Sequence, residues 1–86
     1  MPEISRFFGI VIKMFWDDHN PPHFHAFYAG EMALIDINTL SLFAGRLSPR
    51  ALGLVIEWAT VHQQELLQDW HRAQRQESIE RIEPLR

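Results

Sequence analysis

The sequence contains no cysteine. That excludes a disulfide framework, a thiolate zinc site and a cysteine nucleophile. It also fits a reducing compartment, so a cytoplasmic location is the expectation. No apolar run approaches the roughly 18–20 residues that a membrane span needs, and no membrane association is expected. The opening residues Met-Pro-Glu-Ile-Ser-Arg lack the basic start and apolar stretch of a signal peptide. Positive charge is scarce: eight basic residues face eleven acidic ones, for a formal charge of -3 and a pI near 5.9. Nucleic-acid binding by bulk charge is thereby disfavoured, although a local basic patch is not. Repeats and low-complexity tracts are absent. So are a phosphate-cradling glycine loop, a nucleophile elbow and a dinucleotide fingerprint.

What remains has the composition of a globular domain. The chain has 86 residues, 47% of them apolar and 22% charged. Its ten aromatic residues argue against disorder. The length allows one domain, residues 1–86. A chain of this size buries roughly 60–65% of the surface its unfolded form exposes, a thin margin that makes a homodimer reasonable.

The two halves differ in texture. Residues 3–47 are rich in Phe, Ile and Val punctuated by Gly and Pro, and read as strands. The first strand region is 4–16, with Gly9 marking a bend or bulge. Asp17 to Pro22 form a polar loop, since Pro21 and Pro22 cannot extend a sheet ladder. Further strands are expected at 23–29, 32–37 and near 42–47, separated by turns at Gly30-Glu31 and Asn38-Thr39. Sequential strands on short turns favour an antiparallel meander of about four strands. One long helix follows, about 49–75. Ser48 is a suitable N-cap and Pro49 suits the first helical position. At 100° per residue Leu52, Val55, Ile56, Ala59, Leu66, Trp70 and Ala73 make one apolar stripe, which should pack on one face of a curved sheet. A short extended tail, 78–86, carries Ile79, Ile82 and Leu85 and should lie along a sheet edge or a partner. The fold class is therefore α+β.

Leu54, Trp58 and Val61 fall roughly opposite that stripe. Either the sheet curls round to bury them, or they form an interface. On the interface reading, Leu54, Trp58 and Val61 together with Ile82 and Leu85 are the contact residues, for a second copy or for another protein.

The chemistry concentrates in Asp17-Asp18-His19-Asn20-Pro21-Pro22-His23-Phe24-His25. His23 and His25 are two apart, so on a strand they share a face. Neutral imidazoles at that spacing can hold a zinc-like divalent ion when His19 or a carboxylate from Asp17 or Asp18 adds a third ligand. The candidate metal ligands are thus His19, His23 and His25. The same residues suit metal-free RNA cleavage, with His23 and His25 as catalytic base and acid and Arg6, Lys13 and Arg46 as phosphate contacts. Asp18 and His19 complete the candidate binding residues. The plainest alternative is that the histidines hydrogen-bond the Asp17-Asp18 loop and fix its shape. His62 and His71 read as packing or solvated residues.

Ile4 to Met14, the block Asp18-His19-Asn20-Pro21-Pro22-His23-Phe24-His25-Ala26, Arg50-Ala51-Leu52, Glu57-Trp58-Ala59 and Ile82 to Leu85 together resemble the small bacterial domain-of-unknown-function family 4160. The resemblance implies one half of a two-gene module like a toxin–antitoxin pair, which binds a small cognate protein encoded beside it and bears on RNA or translation. It assigns no role to Asp18, His19, Pro21, Pro22, His23 or His25.

Overall fold

A computed structural model describes residues 2–86. Five strands form one antiparallel sheet in chain order: β1 (Glu3–Phe7), β2 (Ile10–Lys13), β3 (His23–Tyr28), β4 (Glu31–Asp36) and β5 (Leu42–Gly45). Two helices follow, α1 (Pro49–Val61) and α2 (Gln63–Gln74). The α+β meander is as expected, but with five strands and two helices in place of about four and one.

The extra strand comes from Phe8 and Gly9. Both have positive φ, 50° and 81°, and Phe7 pairs with Ile10 across them. This is a two-residue hairpin turn whose twist matches its flanking strands. Gly9 therefore reverses the chain and does not merely bend one long strand. Ala29 and Gly30 repeat the device between β3 and β4, with φ of 50° and 80°. The longer β4–β5 connection is shaped by Asp36, whose Oδ1 accepts from the backbone N–H groups of Asn38 and Thr39 at 2.7 and 2.9 Å.

The helix begins as expected, with Ser48 Oγ accepting from Ala51 N–H and Pro49 in the first turn. It breaks at His62, where φ is -111° and ψ 22°. Just before the break, the Thr60 hydroxyl donates to the Ile56 carbonyl at 2.7 Å, a back-bond that bends helices. Just after it, Gln63 Nε2 donates to the Ile37 carbonyl at 2.7 Å and ties the joint to the end of β4.

Strand alternation sends Ile4, Ile10, Ile12, Phe24, Ala26, Ala33 and Ile35 to one face, all fully buried. Against them pack Val55, Trp58 and Ala59 from α1 and Leu66 and Ala73 from α2. The extended segment 78–86 completes the core. Ile82 N–H donates to the Ile4 carbonyl at 2.7 Å, and Trp58 Nε1 donates to the Glu83 carbonyl at 2.7 Å. The tail thus runs along the edge of β1.

This closure corrects the interface expectation. Trp58 is fully buried in the protomer and touches Phe7 and Phe24, and Ile82 is 4% exposed. Leu54 and Leu85 are half-buried against the same core. Only Val61, 73% exposed, points outward as expected. The tail covers what a helix read in isolation leaves bare.

Candidate functional site

The opposite face of the sheet carries the histidines. His23 and His25 alternate with the core residues Phe24 and Ala26 on β3, so they share the other face of the strand, where the His23 ring meets Trp70 at the end of the sheet. His25 is paired across strands with Lys13 of β2 and Leu34 of β4, which share its face.

The loop from 14 to 22 folds over this face and brings Asp18 to both rings. It is held at several points. Trp16 Nε1 donates to the Glu77 carbonyl at 2.9 Å, and Gln74 Nε2 to the Asp18 carbonyl at 3.2 Å. Ile37 N–H donates to the Pro22 carbonyl at 2.9 Å. The end of α2 and the strand end at Ile37 therefore fix where Asp18 stands.

Asp18 Oδ2 lies 3.1 Å from His25 Nε2 and 3.5 Å from His23 Nε2. The three donor atoms all fall within 4.8 Å of one another. Both rings are largely shielded, with 7% of the His23 side chain and 14% of the His25 side chain exposed. His23 lies among Trp70, Phe43 and His25, with ring centroids 5.4 Å away in each case. Phe15 meets His25 edge-on at 4.6 Å.

The tautomers follow from the second ring nitrogen. His23 Nδ1 lies 2.7 Å from the Pro21 carbonyl oxygen, which only accepts, so Nδ1 carries the proton. In the neutral ring Nε2 then presents a lone pair towards the Asp18 carboxylate. His25 Nε2 is close enough to donate to Oδ2. Burial pushes the His25 imidazole below its ordinary pKa, partly offset by the Asp18 charge and hydrogen bond and reinforced by His23. Two acceptors facing each other, with a neutral imidazole beside them, favour a cation or a proton between them.

The other candidate residues distribute unevenly. His19 is exposed and outside the cluster. Arg6 pairs with Glu3 at 2.7 Å on β1, and Arg46 with Glu31 at 3.0 Å. Neither joins the histidines. Lys13 stands opposite His25 in the β2–β3 register, with its ammonium 5.1 Å from the centre of the Phe27 ring. His62 Nδ1 pairs with Glu65, and His71 is exposed. The sequence pointed to His19, His23 and His25 as the ligand set, with a carboxylate from Asp17 or Asp18 as the alternative third ligand; the structure brings Asp18, and not His19, to the two imidazoles. Loop spacing carried no signal for that choice.

The fold and the site define a small α+β domain in which a meander carries a shielded His–His–carboxylate cluster, walled on one side by Trp70 of α2. The chain belongs to the family described as Domain of unknown function (DUF4160), whose model matches residues 9–71. That span includes Lys13, Asp18, His23 and His25 and ends before the tail. Neither the curated proteins nor the solved structures gave a match. Among the described residues, no helix is long and apolar enough to cross a membrane.

Proposed function

We propose that this protein binds a divalent ion of zinc type through Asp18, His23 and His25. The observation that carries the reading is the convergence of the three donors. Two ligands each about 2.0–2.1 Å from a tetrahedral ion stand about 3.3 Å apart. Of the three separations, the 3.1 and 3.5 Å from Asp18 Oδ2 to the two imidazole nitrogens bracket that value, and all three donors lie within 4.8 Å of one another. The tie from His23 Nδ1–H to the Pro21 carbonyl is the outer-shell bond that metal-ligating histidines typically make. Trp70, Phe43 and Phe15 supply an apolar wall. Three protein ligands leave one position for water or a ligand, the arrangement of catalytic and not structural zinc sites. Two imidazoles turned inward onto one carboxylate fit this role better than an acid–base pair facing a substrate.

The test is calorimetric titration of chelator-stripped protein with zinc, together with thermal unfolding. One zinc per chain should bind, and a hundredfold excess over Kd should stabilise the fold by about 2.7 kcal/mol. His25→Ala should weaken binding beyond the roughly 10–100-fold that loss of an outer-shell partner costs. Equal uptake by the wild type and a His23→Ala, His25→Ala double variant that still folds would sink the reading.

A second reading is that the protein works inside the cell as one half of a toxin–antitoxin-like module, binding a small cognate protein. It is supported by Phe43 and Trp16, 45% and 37% exposed. With Trp58 and Ile82 inside, the contact surface moves to Phe43 on the edge strand β5. Phe43→Glu should then release a co-expressed neighbouring-gene product in native mass spectrometry while the protomer keeps its fold. An intact complex in that variant would remove this surface from the reading.

A further inference from the structure

Lys13 is the chain's single lysine, and its placement is unlike that of most other cations here. Arg6, Arg46, Arg72, Arg75, Arg81 and Arg86 each pair with a carboxylate. Among the described residues Lys13 makes no ion pair. Its ammonium rests against the Phe27 ring, on the sheet face and at the register position that puts it beside His25. An aromatic face orients a cation without neutralising it. An unpaired ammonium is thus held on the same sheet face, against Phe27, two residues along β3 from His25.

The same face continues into a groove. Val11 and Phe27, each two residues along its strand from Lys13 and His25, line it with Gly9, Tyr28 and Met32. Its walls are mainly apolar and aromatic. Its one acidic residue, Glu31, is paired with Arg46 at 3.0 Å. The three-donor cluster, the unpaired ammonium and the apolar groove therefore follow one another along the outer face of β2 and β3.

We propose that this face binds a nucleoside phosphate. One phosphate oxygen takes the remaining position on the ion held by Asp18, His23 and His25, a second accepts from the Lys13 ammonium, and the planar base lies in the groove against Phe27. The inference rests on the metal reading above and adds to it the ligand class and the residue that selects it. A free mononucleotide and a nucleotide within a single RNA strand present the same chemistry.

The experiment uses the full chain loaded with zinc and titrates it with 5′-AMP, with a five-residue oligoadenylate and with inorganic phosphate. AMP or the oligonucleotide should bind at least tenfold more tightly than phosphate. The tighter of the two identifies the free or the strand form. Lys13→Gln should weaken nucleotide binding tenfold or more with zinc affinity unchanged, and Lys13→Arg should restore most of it. If zinc binds but the nucleotides bind no better than phosphate, or Lys13→Gln binds them as the wild type does, the inference is overturned and the metal reading stands. If the wild type takes up no zinc, both are overturned.

Discussion

Among the described residues Asp18 is the one carboxylate paired with His25, and burial dominates the behaviour of the ring. The folded protein holds the imidazole below its ordinary pKa, whereas in the unfolded chain the ring titrates near about 6.5. Between those two values the unfolded chain binds more protons than the folded one. Stability therefore rises with pH across that window and is lost as pH falls through about 6.5, levelling once the folded ring is also protonated. His25→Gln removes this contribution. Urea midpoints in the presence of chelator, at pH 7.5 and 5.5, should differ less in the variant than in the wild type. An equal difference would show that His25 is not the titrating group. The pairing of His23 with His25 was legible from strand parity alone, because a period of two needs no knowledge of the rest of the fold. The choice of Asp18 over His19 was not. It depends on Gln74 and Trp16 pinning the loop from the end of α2, more than fifty residues away in sequence.

At the scale of elements, local chemistry was readable where it is ordinary and hidden where it is not. Ser48 and Pro49 announced α1 because an N-cap followed by Pro has few other uses. The Phe8-Gly9 reversal stayed hidden because Phe is a poor resident of the left-handed region, and the sequence around it alternates like one strand. The break at His62 stayed hidden because the apolar stripe continues in phase across it. Two glycines separate conformational strain from steric clash. Gly30 has φ of 80° and open space where a Cβ would stand. Gly45 has φ of 75°, and a Cβ there would lie 2.2 Å from the Met32 carbonyl oxygen, inside the β4–β5 ladder. Gly30→Ala should cost about 1–2 kcal/mol, the left-handed penalty alone. Gly45→Ala should cost clearly more, because backbone must move and β5 must part from β4. Chemical denaturation of the two variants checks the order, and equal losses would mean that β5 yields freely at its edge.

For the whole molecule, the decisive interaction is between its two ends. The edge of β1 would otherwise present an open ladder. The tail covers it through Ile82, and Asp69 of α2 secures the approach: its Oδ1 accepts from Glu80 N–H at 2.9 Å and from Arg72 at 2.8 Å. Burial raises the Asp69 carboxyl pKa while these two donors lower it, so the carboxylate is held by the tail as much as it holds it. A folded chain of 86 residues has a total stability of about 4–13 kcal/mol. Truncating one buried aliphatic side chain to Ala costs about 2–5 kcal/mol. Ile82→Ala should therefore consume a large share of the stability from a position four residues from the end. Deleting 78–86 should go further, because it uncovers Trp58, leaves its indole N–H without the Glu83 carbonyl and reopens β1. The expected outcome is loss of the cooperative urea transition and a red shift of tryptophan fluorescence in the deletion, with Ile82→Ala still folded but at a lower midpoint. Were the deletion to unfold at the wild-type midpoint, the tail would be a passenger and the Trp58 face would again be available to a partner. The interface expectation failed for Trp58 and Ile82 because helix periodicity describes what a helix offers, and only the returning chain decides what is covered.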